Sequence, residues 1–303
     1  MGKSHTAAAG HLSALFCILI WGTTFISTKI LLTAFSPVEI LVLRFVMGFI
    51  ALLIVYPRRI KTASLREELL FAGAGFCGVT MYFLLENIAL TYTLASNVGV
   101  IVSIAPFFTA ILSHFFLKGE RLSRSFLLGF VIAITGVFLI AYNTNQVLKL
   151  NPAGDVLALL AALFWAVYST LMRKIRELDH NTIGCTRRVF FYGLLLMIPA
   201  LFLMDFKPDI SKVFVPVNLL NLLFLGLFAS ALCFVFWNWT VGILGAVKTS
   251  LYIYIVPAVT MIAAALLLNE TITPTALIGA DLALAGMFLA ERREKPAAER
   301  KAA

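Results

Sequence analysis

The stretch Gly10 to Ile30 (GHLSALFCILIWGTTFISTKI) returns 144 positions later as Gly154 to Ile175 (GDVLALLAALFWAVYSTLMRKI). Gly10 falls on Gly154, Ala14 on Ala158, Leu15 on Leu159 and Trp21 on Trp165, and a cation follows at Lys29 and Arg173. The correspondence runs on. Arg44 matches Arg188 at the same offset, and Asn87 and Pro106 match Asn238 and Pro257 at 151. Glu120, Gly129 and Gly136 match Glu270, Gly279 and Gly286 at 150. A repeat this long constrains the fold to two like units before any single residue is interpreted.

The solvent around those units follows from composition. Of 303 residues 61% are hydrophobic and only 13% charged, too few polar groups to cover a water-soluble surface. Apolar runs long enough to cross a hydrocarbon core of ~30 Å as helices recur along the chain. Their approximate spans are 10–33, 37–57, 67–91, 95–117, 125–143, 154–175, 183–204, 217–240, 246–268 and 274–291. The fold class is therefore all-α and integral to the membrane, with ten transmembrane helices as two five-helix repeats, 10–143 and 154–291. Residues 1–9 and 292–303 read as disordered cytoplasmic tails. Five crossings is an odd number, so the second repeat must be inverted. The loops agree: KGERLSR carries three cations, whereas its counterpart LNETITP carries none. Inverted repeats of this kind are the mark of carriers that alternate access around a midplane site.

Charge sets the orientation. With the N-terminus inside, sixteen Lys and Arg residues fall on the inner side and three, Lys149, Lys207 and Lys212, on the outer side. This bias predicts both termini in the cytoplasm and a multi-pass protein of the cell (inner) membrane. The formal charge of +9 is spread through short loops and not gathered on one face, which argues against a nucleic-acid partner. Cys17, Cys77, Cys185 and Cys233 each sit alone in an apolar run, as packing residues do. The small residues Ala7 to Gly10 precede the first apolar run, so that run reads as a retained helix and not a cleaved signal.

Several stretches carry a family likeness: Trp21-Gly22-Thr23, Ser36-Pro37 followed by Arg44, ALTYTLASN (Ala89 to Asn97), APFFTAILSHFFLKGERL (Ala105 to Leu122), GDVLALLAALFWAVY (Gly154 to Tyr168) and YIVPAVTMIAAALLLNETITP (Tyr254 to Pro274). Through them the chain resembles the EamA-domain proteins of the drug/metabolite transporter superfamily, over nearly its whole length. The resemblance implies ten helices in two inverted five-helix units, with a central cavity lined mainly by helices 1, 3, 4, 6, 8 and 9. It implies a carrier of small metabolites, commonly an exporter, and leaves the substrate open.

Polar groups inside spans are the candidates for function, because an ionised side chain at the bilayer centre costs about 2.5–3.5 kcal/mol on insertion scales. The candidate substrate-binding set is Trp21, Thr24, Tyr82, Glu86, Asn87, Asn97, Trp165, Tyr168, Asn238, Lys248 and Tyr252. Trp21 and Trp165 lie mid-span, away from the interfaces where tryptophan settles, so they face either a cavity or another helix. Lys29 and Glu86, each near an outer helix end, are placed to form an ion pair that tracks a gate; the alternative is that each reaches water separately. Lys248 either meets a substrate carboxylate or extends to the inner headgroups. Pro106 and Pro257 each remove a backbone hydrogen bond mid-helix and predict a duplicated hinge. Arg44 and Arg188, a duplicated cation that could bind substrate, stand on helices outside the lining the resemblance implies and so read as anchors or gate supports. Gly129, Ala133 and Gly136, repeated as Gly279, Ala283 and Gly286, read as a seam for close helix packing, within or between subunits.

No residue pattern points to chemistry. The histidines are scattered, HExxH and GxSxG are absent, and Gly2-Lys3-Ser4 lacks the glycine and strand of a phosphate loop. The residues thus argue against a membrane-embedded enzyme and imply no cofactor and no metal. The reading is a secondary active or facilitative transporter, an exporter of amino acids or related compounds, with export of cationic aromatic drugs as the alternative. Its partners are a small-molecule substrate, membrane lipid and, as a coupling ion, the proton; monomer and homodimer both fit.

Overall fold

The computed structural model describes residues 2–93, 95–117, 123–142, 151–204, 206–207, 209–268 and 272–291. Every regular element among them is helical. Helix α1 covers Gly2–Leu31 and α2 covers Pro37–Val55. The expected N-terminal tail is thus already helical, since Ala7, Ala8 and Ala9, the best helix formers, extend the first span upstream. Ser36 starts α2 with a capping box: its hydroxyl accepts from the Glu39 backbone while Glu39 accepts from the Ser36 backbone. The other expected tail, along with Glu120 and Glu270, lies outside the described residues.

The third span is continuous from Leu65 to Tyr92 but not uniform. It comprises α3 (Leu65–Gly75), a π-helical segment (Phe76–Met81) and α4 (Tyr82–Tyr92). Next come α5 (Ala95–Val102), α6 (Ala105–Phe116) and α7 (Arg124–Tyr142). The second half opens with α8 (Pro152–Arg176) and α9 (Thr182–Leu203), capped by Asn151 and Asn181, and a single turn, α10 (Ile210–Val213). Its long span again contains a π-helical segment, Phe224–Leu232, between α11 (Pro216–Leu223) and α12 (Cys233–Leu244). The chain ends with α13 (Ala246–Leu251), a 3-10 turn (Tyr252–Ile255), α14 (Val256–Leu268) and α15 (Pro274–Glu291).

By length and composition, eight helical stretches among the described residues are apolar enough to cross a membrane. Two shorter apolar helices, Arg124–Ile140 and Pro274–Ala290, stand where the fifth and tenth spans were expected. The protein is a multi-pass membrane protein.

Each expected hinge is a break. Pro106 is the second residue of α6, after a turn at Ser103 and Ile104 that interrupts the regular α-helix; Pro257 is the second residue of α14, after the 3-10 turn. Proline is tolerated in the first turn of a helix because an N–H there has no intrahelical acceptor, so its loss forfeits no hydrogen bond. Both π segments end 151 residues apart, at Met81 and Leu232, the offset that relates the two prolines.

The small-residue seam lies within the chain: α7 packs on α15 with backbones in direct contact. A Cβ on Gly129 would fall 2.5 Å from the Gly286 carbonyl, and one on Gly136 would fall 2.4 Å from the Gly279 carbonyl. The loop after α2 meets the start of α9, where Arg187 donates to the carbonyls of Tyr56 and Arg58, and Arg188 to Ile60 and to Glu68. Lys212 instead reaches the Ala34 carbonyl, before α2 begins. Lys61 and Lys212 therefore belong to opposite ends of α2.

Candidate functional site

Helical spacing gathers one cavity at the centre of these spans. On α1, Trp21, Thr24 and Phe25 share a face at i, i+3 and i+4; on α4, just beyond the π segment, Glu86 shares a face with Tyr82 four residues before it and Phe83 three before it. Gly99 and Val102 of α5 close one side, Trp165 of α8 another, and Ile253 and Val256 flank the break before Pro257. Arg44 enters from α2. Apart from Trp21, these residues are buried.

The walls are aromatic. Trp21 and Trp165 meet edge to face at 5.3 Å, Tyr82 lies 4.8 Å from Trp165, and Trp237 backs Trp21 at 4.8 Å. The Trp21 indole N–H is used, donating to the Ala229 carbonyl at 2.9 Å. The Trp165 indole N–H is buried with no acceptor among the described residues. Such an orphan donor in a cavity wall is a group left for a ligand or water.

Two opposite charges share this space. Arg44, 2% exposed, donates from Nε to the Ser230 hydroxyl at 3.0 Å and sits over the Phe83 ring at 4.3 Å. Glu86, 6% exposed, has an Oε2 with no partner. Arg44 and Tyr82 are its electrostatic neighbours, yet no ion pair within 4.0 Å joins Arg44 to Glu86.

Of the eleven candidate binding residues, Trp21, Thr24, Tyr82, Glu86 and Trp165 line this cavity. Five of the others lie outside its lining. Asn87 points away and donates to the Pro37 carbonyl at 3.1 Å. Tyr168 donates to Asn238 Oδ1 at 2.6 Å, and Asn238 donates on to the Thr186 hydroxyl at 3.0 Å, a buried chain that ties α8, α12 and α9. Tyr252 bonds His11 at 2.6 Å, and half-buried Lys248 lies on α13 outside the lining. The Asn97 side chain lies outside the described residues.

Lys29 does not pair with Glu86. Its ammonium donates to the Leu90 and Thr93 carbonyls at 2.8 and 3.2 Å, where the end of α4 leaves acceptors open and the helix dipole favours a cation. Arg188 is an anchor, as expected, but its counterpart Arg44 faces the cavity. That residue was missed because α2 was assigned outside the lining; the cost of a mid-span arginine was the signal that could have found it. Asp281 is exposed on α15, and nothing in the structure explains it.

A multi-pass helical membrane protein with a charged, aromatic-walled cavity enclosed among its spans is the class these features define. Within that class, the chain belongs to the EamA-like transporter family, whose model matches residues 8–142 and again 152–291. It is 28% identical to an uncharacterized transporter of Archaeoglobus fulgidus, covering 94% of this chain and 98% of that protein. It is 27% identical to a probable terminal-alkyne amino-acid exporter of Streptantibioticus cattleyicolor, covering 91% of each. With a probable amino-acid metabolite efflux pump of Escherichia coli it shares 25% identity over 91% of this chain and 92% of that one. A solved crystal structure superposes with a TM-score of 0.71 at 19% identity, covering 93% of this chain and 96% of that one, which supports the fold.

Proposed function

We propose that the protein is a secondary active or facilitative exporter of amino acids or related small metabolites, working by alternating access in the cell (inner) membrane with both termini inside. The observation that carries this reading is the cavity itself: a carboxylate, an arginine and an unpartnered indole N–H held among aromatic faces, in a chain of a transporter family. A ligand site is a concave, mostly apolar space with a few convergent polar groups, and this one has that make-up. Amino acids lead because relatives named as amino-acid exporters align along most of the chain.

The moving parts in this reading are two inverted five-helix units. Support comes from the family model matching twice, from the 151-residue offset shared by the proline breaks and the π segments, and from the placement of Lys61 and Lys212 at opposite ends of α2. A second reading, export of cationic aromatic compounds, is favoured by the rings around Glu86 and is the competitor to eliminate.

Counterflow into proteoliposomes with labelled amino acids, nucleosides and cationic drugs, with and without a pH gradient, tests both readings. Amino-acid flux is expected; stimulation by the gradient would mark the proton as coupling ion. Flux confined to cationic drugs would replace the first reading by the second, and no flux for any compound would overturn transport of these classes.

A further inference from the structure

Arg44 and Glu86 are buried in one cavity, and no ion pair within 4.0 Å joins them. From that gap we infer that the pair recognises the two charges of a free α-amino acid, Arg44 taking the carboxylate and Glu86 the ammonium. The inference rests on the transport reading above and names which residue sets the requirement for a carboxylate.

Among the described residues Arg44 bonds through Nε alone, to Ser230. Its two terminal nitrogens are the part of the guanidinium fork left over, and that fork matches the geometry of a carboxylate. Packing over Phe83 and the bond to Ser230 fix the plane of the fork before a ligand arrives. Glu86 Oε2, buried and unpartnered, is the complementary acceptor for an ammonium. The Trp165 indole N–H, buried in the same wall and without an acceptor among the described residues, is a second donor beside the cavity, while the rings of Trp21, Tyr82 and Trp165 form a surface for an apolar side chain. A monocation would answer Glu86 and leave Arg44 uncompensated in low dielectric; a monoanion would do the reverse; a zwitterion answers both. Lys248, the other candidate for the carboxylate, is outside the lining.

Counterflow across a set of amino acids identifies the best-transported one. Its decarboxylated amine and its deaminated acid then compete against it on the wild-type protein. Each is expected to compete about tenfold or more weakly, since each forfeits one charge-assisted contact. In Arg44→Gln the amino acid should weaken by about tenfold or more while the amine competes as well as before or better; in Glu86→Gln the pattern should invert, the acid gaining on the amine. Size-exclusion profiles establish whether each variant folds, and if Arg44→Gln does not, the wild-type competition decides. An amine that competes on wild type within about threefold of the amino acid overturns the assignment of Arg44. Flux of amines without flux of amino acids overturns this inference and leaves transport intact, whereas no flux of any compound removes both.

Discussion

Tyr168 and Asn238 show how buried polar side chains in this protein divide between structure and site. Tyr168→Phe removes the hydroxyl that Asn238 accepts from and leaves that carbonyl oxygen buried without a donor. The expected cost is about 1–3 kcal/mol, read as a lower melting temperature in detergent, with substrate affinity unchanged because the pair is outside the cavity. Trp165→Phe should do the opposite. Among the described residues the lost indole N–H has no acceptor, so no hydrogen bond is forfeited and the cost to stability is only that of the smaller ring, while affinity for the transported amino acid falls several-fold in an equilibrium binding titration. At this scale the sequence was only half legible. Polarity inside an apolar span identified residues that need a partner, but it did not identify the partner. Asn87, Tyr168, Asn238 and Lys29 spend theirs on backbone or on neighbouring helices, and only packing reveals it. Arg44 was misjudged for the same reason, since the helix it stands on was assigned by analogy and its direction was not in the sequence.

The presence and order of the spans were the most legible features, because they follow from apolar run length; exact ends, such as the start of α1 at Gly2, were not. Asn151 and Asn181 lead into α8 and α9, and proline opens α2, α8 and α15. The small-residue repeat also announced close packing, although not its partner. The structure places both members in one chain, so Gly286→Val should put its Cβ 2.3 Å from the Ala133 backbone nitrogen and force α7 and α15 apart. We expect about 1–3 kcal/mol of destabilisation, measured as a lower midpoint in thermal unfolding, with the oligomeric state unchanged. The π segments were not legible. FCGVTM and FLGLFASAL carry no proline, and the one glycine in each does not announce a π turn, which arises from how a helix is accommodated by its neighbours. Their positions immediately before Tyr82 and Cys233 put an irregular backbone beside the residues that reach the cavity and its aromatic wall, where such turns often serve function.

At the scale of the whole molecule, two like units of five crossings each make a topological claim that any soluble label can test. An odd number of crossings forces the second unit to run opposite to the first, so residues at matching positions must face opposite sides of the bilayer. Lys61 and Lys212, both exposed and 151 residues apart, are such a pair. They also associate with opposite ends of α2, a helix of 19 residues and therefore about 28 Å long, close to the thickness of the hydrocarbon core. In a background with Cys17, Cys77, Cys185 and Cys233 replaced, Lys61→Cys and Lys212→Cys are labelled in intact cells with a membrane-impermeant maleimide. The Lys212→Cys protein should react at once and the Lys61→Cys protein only after the membrane is permeabilised, as the excess of cations on the inner side also requires. Equal reactivity of both in intact cells would mean the units run parallel. The break at Ser103–Ile104 and that at Tyr252–Ile255 could then not act as two halves of one rocking hinge, since an exchange of access between the two faces depends on their being mirrored across the midplane.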